Sequence, residues 1–333
     1  MRKNISIGLI EFPKNSGTLE ITGGNHYRRL LYEVLSKYFE IETYDVVPRK
    51  KSFGRVLDPY LKSLIKPHGE KNIWIREILS TATIPFNRTV GRNILLFHHY
   101  DPNYTNYSNR YPIGKLFHKN LKHLDAAVVV SKYWRRYLHQ YVPELQVDVI
   151  HIGFNLKEFK FKKSELVEFV EKYNLNDKPI IYIGNNHPAK GVIEVYNMLK
   201  GLDAYLITSG KKLTNIPSIH LKLPRREYLK LLHVSDVAIT MSKFKEGWNI
   251  TAHEAMLSKT PVIGSGTGGM RELLRGGGQI ICRDFSKLPE MVEYALDNKK
   301  RLARKGYKYA SQKKFTIEHF EKKWIEIITD MGE

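Results

Sequence analysis

Short β-branched runs alternate with amphipathic helical stretches along nearly the whole chain, and this rhythm limits the fold more than any other feature. In the first half the runs fall at residues 5–10, 41–47, 94–97, 126–130 and 147–152. Between the first two, residues 26–39 place Leu30, Leu31, Val34, Leu35 and Tyr38 on one helical stripe. The rhythm restarts at 180–183 and continues at 204–208, 237–240, 261–263 and 279–281, with helices expected at 192–199 and 228–232. Strands that are apolar throughout and separated by helices belong in parallel sheets covered on both faces. Two such series flank the charged stretch 155–178, so the expectation is an α/β chain of two Rossmann-like domains, 1–154 and 155–314. The tail, 315–333, reads as an amphipathic helix with no strand after it, and we expect it to pack back on the first domain.

A chain of 333 residues, 42% of them hydrophobic, has ample material for two cores. No run approaches the roughly 18 apolar residues of a membrane span. The opening Ile5–Ile10 run is short, β-rich and followed by Pro13-Lys14-Asn15, so it reads as a buried strand and not as a secretory leader. The single cysteine, Cys282, cannot form an intrachain disulfide and fits a reducing, cytoplasmic setting. The charge is the unusual number: 54 Lys+Arg against 34 Asp+Glu gives +20. Such a balance points to polyanionic partners, namely an anionic membrane face, a phosphorylated lipid or nucleic acid. A solvated lysine-rich surface is the bland alternative.

Ligands of open parallel sheets bind beyond the carboxyl ends of the strands. Residues 184–191, Gly-Asn-Asn-His-Pro-Ala-Lys-Gly, stand at such an end before a helix. Glycines there admit a close backbone approach, a helix N-terminus favours an anion, and Lys190 offers a point charge to a phosphate. Gly23-Gly24 is expected in the corresponding strand-to-helix turn of the first domain. Glu246 and Glu254 lie eight positions apart, the first in a loop and the second in a helix that begins near Asn249. No cation is their sequence neighbour except Lys243 and Lys245, so they suit neutral hydroxyl donors such as a sugar and a ribose. Glu254 sits among Ala252, Ala255, Met256 and Leu257, where a carboxylate needs partners. His98-His99-Tyr100-Asp101 follows another strand; a histidine there can position a substrate and Asp101 can orient the ring. His187 and His253 read as local hydrogen-bonding residues. Neither HExxH nor CxxC nor DxD occurs, so no metal site is expected.

Together, Gly184…Lys190-Gly191, Glu246-Gly247-Trp248 with Glu254-Ala255-Met256, Thr260-Pro261-Val262-Ile263 and Gly268-Gly269 resemble family 4 of the retaining glycosyltransferases. The resemblance implies the GT-B fold, two Rossmann-like domains whose parallel sheets face a central cleft. It implies that Glu246 binds donor-sugar hydroxyls, helped by backbone amides near Gly247, Trp248, Asn249 and Ile250. Glu254 would hold the ribose, and Lys190 with Gly23, Gly24, Gly184 and Asn185 would bind the diphosphate. Leu223 and Pro224 would lie near the base, and His98 or His99 near the sugar. Three positions depart from the family pattern: Asn185 replaces an arginine, Asn249 a glycine and Asn155 an aspartate. The implied activity is metal-independent, retaining transfer of a hexose from a UDP- or GDP-sugar to a hydroxyl of a lipid-linked or glycan acceptor. It needs no cofactor beyond the donor as co-substrate.

Acceptor recognition is expected in the first domain, where residues 55–66 carry Val56, Leu57, Tyr60, Leu61, Leu64 and Ile65 at helical spacing beside Arg55, Lys62 and Lys66. Arg49-Lys50-Lys51 precedes this stretch, and residues 115–122 form a second basic, amphipathic one. Helices of this kind lie on anionic membrane surfaces, or pack in a core with a solvated basic face. Two rival readings are a GT-B enzyme acting on nucleic acid and a non-catalytic sugar-nucleotide binding protein. The base, the sugar, the acceptor and the oligomeric state are not encoded in any spacing.

Overall fold

The computed structural model describes residues 5–12, 23–46, 57–102 and 113–332. Two compact units divide the chain: residues 1–153 with 317–333, and residues 154–316.

The first unit runs β1 (Ser6–Ile10), α1 (Gly23–Leu35), β2 (Glu40–Tyr44), α2 (Leu57–Ile65), β3 (His68–Arg76), α3 (Ile78–Ala82), β4 (Arg88–Phe97), α4 (Ile113–Asn120), β5 (Ala126–Val129), α5 (Lys132–His139) and β6 (Gln146–Val149). Its six strands form one parallel sheet in the order β2-β1-β3-β4-β5-β6. The strand direction of growth reverses between β1 and β3. α1 begins at Gly23, three residues before the expected start, so Gly23 and Gly24 form its first turn instead of a preceding loop. The stripe read from the sequence is its core face: Leu30, Leu31, Val34 and Leu35 are buried. Among the expected basic segments, residues 49–56 lie outside the described residues. Further along α2, Ser63 faces inward while Leu61 and Ile65 are 45% and 73% exposed, so these apolar side chains meet solvent and not the core.

The second unit runs α6 (Lys163–Lys172), β7 (Ile180–Asn185), α7 (Val192–Leu199), β8 (Tyr205–Ser209), β9 (Ile219–Leu221), α8 (Arg225–Val234), β10 (Val237–Thr240), α9 (Ile250–Leu257), β11 (Val262–Gly264), α10 (Met270–Gly276), β12 (Ile280–Ile281), α11 (Leu288–Asp297) and α12 (Lys299–Ala310). Its parallel sheet has the order β12-β11-β10-β7-β8-β9, which reverses between β7 and β10. Ile181, Ile183, Val195, Ile239 and Ile263 meet in its core. The charged stretch 155–178 lies inside this unit, where it carries α6 and buries Phe159, Phe169 and Leu175. In α6, Phe169 is buried and Leu166 and Tyr173, three and four positions away, are partly buried, so one apolar stripe anchors the segment despite the surrounding charge.

After the second unit the chain returns to the first as α13 (Ile317–Gly332). It buries Phe320, Trp324, Ile327 and Ile328. The Trp324 indole donates to Tyr27 Oη at 3.1 Å, and Tyr27 in turn donates to the Ile150 carbonyl at 3.1 Å.

Candidate active site

In the second unit, the switch between β7 and β10 gathers the residues singled out from the sequence. β7 ends at Gly184 and Asn185, and a 3-10 turn, Pro188–Lys190, follows. Gly191 then takes φ 71°, and a Cβ there would collide with the Met241 carbonyl at the exit of β10. Only glycine lets the turn press this close. The approach brings Lys190 Nζ to 2.6 Å from Glu246 Oε1 and 4.6 Å from the centre of the Phe244 ring. Glu246 is 6% exposed, and Ser242 Oγ and Asn249 Nδ2 also donate to Oε1.

The Glu246 backbone is fixed from behind. Its carbonyl accepts from Gly269 N at 2.8 Å, and Gly268, at φ 60°, leaves no room for a side chain against it. Asn249 keeps the turn that a glycine would make: its φ is 69°, and Oδ1 caps α9 by accepting from Ala252 N at 2.8 Å. One residue thus tolerates the left-handed backbone, caps the helix and steadies Glu246. Ile250 opens α9 directly after it. A narrow cavity between the strands is lined by Gly184, Asn185, Lys190, Ile239, Thr240, Asn249 and Thr251. Asn185 turns Oδ1 toward Tyr182 Oη, at 3.0 Å, and Ser209 Oγ.

Glu254 is 3% exposed and forms an ion pair with Arg225, the first residue of α8. Burial pushes the Glu254 pKa up; Arg225 and the Tyr228 hydroxyl pull against that without cancelling it. The sequence reading that neither glutamate has a cation beside it is therefore corrected in space. Lys190 faces Glu246 across 56 residues and Arg225 faces Glu254 across 29, because a buried carboxylate without a donor is too costly to leave. Arg225 was missed as a site residue, although a cue existed: Arg225-Arg226 opens a helix where the dipole disfavours cations. Leu223 and Pro224 stand immediately before it, Pro224 as the N-cap. The Trp248 indole serves the fold, donating to His253 Nδ1 at 2.9 Å, while His253 Nε2 meets the Ala310 carbonyl at 3.0 Å. That leaves Gly247 and Trp248 only backbone groups to offer at this turn. His187 accepts from Ala189 N and caps the 3-10 turn.

The first unit has its own cluster at the carboxyl ends of β1, β3 and β4. His98 follows β4, packs edge-on against Tyr27 at 5.1 Å between ring centres, and comes within 3.9 Å of where a Gly24 side chain would begin. The carboxylate facing it is Glu77, with Oε1 3.8 Å from His98 Nε2. Glu77 is held by the Arg28 guanidinium through both oxygens. Burial, then the Arg28 charge, hold the His98 pKa well below the usual imidazole range, so the ring is neutral. Glu11, at φ 72°, is buried just past β1 and accepts from Ser80 N at 2.7 Å and Ser80 Oγ at 2.8 Å. Burial first, and then the Glu77 charge, push its pKa up to about 7. His99 lies beside this cluster, half-buried. Among the described residues no three His, Cys, Asp or Glu side chains gather as a metal-binding group.

Comparison with known proteins bears on the second unit most directly. Residues 163–313 match the family model described as glycosyl transferases group 1. Trehalose synthase of Pyrococcus horikoshii is 27% identical over 212 residues, covering 53% of this chain and 50% of that protein. Trehalose synthase of Thermococcus litoralis is 27% identical over 177 residues, covering 43% and 42%. The match thus spans about half the length of these relatives or less. Among solved structures, sucrose-phosphate synthase from Thermosynechococcus elongatus superposes with a TM-score of 0.78 at 18% identity, covering 98% of this chain and 99% of that one. HepE of Anabaena, solved in complex with UDP-glucose, gives 0.72 at 15% identity over 98% and 100%. These likenesses establish the fold. The chain has two parallel α/β units of the GT-B type, and residues 163–313 of its second unit are similar to group 1 glycosyl transferases.

Proposed function

We propose that the protein transfers a hexose from a nucleoside-diphosphate sugar, UDP- or GDP-linked, to a hydroxyl group of a lipid-linked or glycan acceptor, with retention and without a metal ion. The observation that carries this reading is the Lys190–Glu246 pair at the strand switch of the second sheet. A diphosphate leaving group gains negative charge as the glycosidic bond breaks. Lys190, a third exposed, meets that charge together with the amides that open α7, so the positive charge comes from the chain itself. On donor binding Lys190 turns from Glu246 to the phosphates, and Glu246 takes sugar hydroxyls as its new donors. Three groups already converge on Glu246 Oε1, which suits it to binding and not to nucleophilic attack. Retention then follows a front-face course, with the acceptor hydroxyl entering on the leaving-group side. The Arg225–Glu254 pair is assigned to the ribose, next to Leu223 and Pro224 at the base. Acceptor binding is assigned to the first unit, where neutral His98 offers a hydrogen bond and no charge. Similar proteins agree in class: HepE binds UDP-glucose, and the UDP-forming trehalose-phosphate synthase of Burkholderia xenovorans was solved with glucose-6-phosphate.

We place the enzyme in the cytoplasm, peripherally on an anionic membrane face. The charge of +20 and the outward Leu61 and Ile65 of α2, beside Lys62 and Lys66, support this. No described helix is long and apolar enough to cross a membrane.

Thermal melting with UDP, GDP, ADP, TDP and their sugar conjugates tests the donor assignment. Ligand at 1,000 times its Kd adds about 4 kcal/mol. One base should raise the melting temperature, and Lys190→Ala should remove most of the rise. No shift with any nucleotide would overturn the assignment.

A further inference from the structure

A second cavity lies away from the β7–β10 switch, on the β12 side of the second unit. It measures about 360 Å³, within the range of small-ligand sites, whereas the cavity at the switch measures about 20 Å³. Its walls are Arg271 and Arg275 from α10, Arg283 from the segment after β12, and Lys287 before α11. Ile281, Cys282 and Met291 complete it with apolar surface. No lining residue is shared with the switch cavity.

The charges here are unbalanced. Arg271, Arg275 and Arg283 have no ion-pair partner among the described residues, while Lys287 lies 3.3 Å from Glu290. The one acid in the wall, Asp284, caps the following turn by accepting from Ser286 N at 2.9 Å. Crowding by Arg283 first and Arg275 second holds the Arg271 pKa below the ordinary guanidinium range. Three exposed guanidiniums are brought together here from two segments, and with Asp284 occupied in capping its own turn they repel one another. An anion between them reverses that sign, and a planar fork suits phosphate oxygens in pairs. The apolar floor suits a ligand with a hydrocarbon or ring portion behind the anion.

We infer that this cavity binds a phosphate-bearing ligand, its phosphate among Arg271, Arg275 and Arg283 and its apolar portion against Ile281 and Met291. The ligand is distinct from the sugar donor, so the inference stands whether or not the donor assignment does. The phosphate has two sources, a soluble phosphomonoester or a lipid headgroup.

The test uses the full chain and two double variants of equal charge change. Arg275→Glu with Arg283→Glu alters the cavity; Arg304→Glu with Lys308→Glu alters exposed positions on α12. Calorimetric titration with phenyl phosphate, with phenol as the neutral control, reports the soluble source. Co-sedimentation with phosphatidylcholine vesicles, with and without phosphatidic acid, reports the lipid source. Loss of two charged hydrogen-bonding partners should weaken binding about tenfold or more in the cavity variant, and about twofold or less in the α12 variant. That difference in the phenyl phosphate arm identifies a soluble ligand, and in the vesicle arm alone a headgroup. Equal weakening by both variants in both arms, or no binding of either probe by the unaltered chain, overturns the inference. Unchanged melting temperatures for both variants confirm that folding is not what is being read.

Discussion

Glu11 shows how one residue can carry a condition into the whole fold. It is buried in a left-handed conformation and accepts two bonds from Ser80, and the nearby Arg28 charge lowers its pKa less than burial raises it. Its pKa rises from 4.5 to about 7, so between those values the folded chain holds a proton that the unfolded chain has released. Stability must then fall as pH rises through that window, by at most about 3 kcal/mol, and level off above it. Glu11→Gln keeps the acceptor for Ser80 and removes the titration. Urea melts at pH 5 and pH 8 should show the loss in the parent and little of it in the variant; equal loss in both would contradict the burial argument. Residue-scale pairing is also where sequence reading stopped. That Glu254 needed a partner was legible from its apolar neighbours, but that the partner is Arg225 was not, since the strand order brings them together. His98 and His99 are equivalent on paper, and only packing against Tyr27 and Gly24 distinguishes them.

At the scale of elements, the turn between β10 and α9 concentrates the consequences. Asn249 caps α9 from a left-handed backbone, so Asn249→Ala loses the cap and adds strain, together about 1–3 kcal/mol of stability. Asn249→Gly should cost only a few tenths of a kcal/mol, because glycine restores the backbone preference. Chemical denaturation of the two variants decides between this account and one in which the side chain matters only to Glu246; in that case both would lose equally. The legibility of elements followed their burial. Residues 237–240 and 192–199 were read to the residue because apolar positions run through them. β3 was missed: its first five residues are glycine or polar and largely open to solvent, and only the Ile73–Arg76 end is buried. β9 escaped for a similar reason, as a three-residue edge strand with one histidine. No helix was read in 155–178, because charge on the exposed face of α6 masks the few apolar positions, Phe169 among them, that it buries.

For the molecule as a whole, the charge of +20 makes association with anionic surfaces a question of salt as well as shape. Leu61→Ser with Ile65→Ser removes two exposed apolar side chains, so stability should change by less than about 0.5 kcal/mol. Binding to vesicles containing phosphatidylglycerol should nonetheless weaken severalfold at low salt and vanish sooner as salt is raised. Unaltered vesicle binding would remove α2 from the proposed membrane contact. Both units place their notable residues beyond the carboxyl ends of parallel strands, where the sheet order reverses. That placement was the part of the candidate site most legible in sequence, since it depends on order and spacing alone. Specificity was not legible, because it depends on a few side chains that distant segments supply.

The central claim is that Lys190 serves the diphosphate of a nucleotide donor. The most direct test compares the affinities of a nucleoside diphosphate and its monophosphate, for the base identified by melting, in the parent chain and in Lys190→Ala. The parent should prefer the diphosphate by about tenfold or more, as expected for a charge-assisted bond, and the variant should lose that preference while still binding the monophosphate. A preference that survives unchanged in Lys190→Ala would contradict the account, and Lys190 would then be only the ion-pair partner of Glu246.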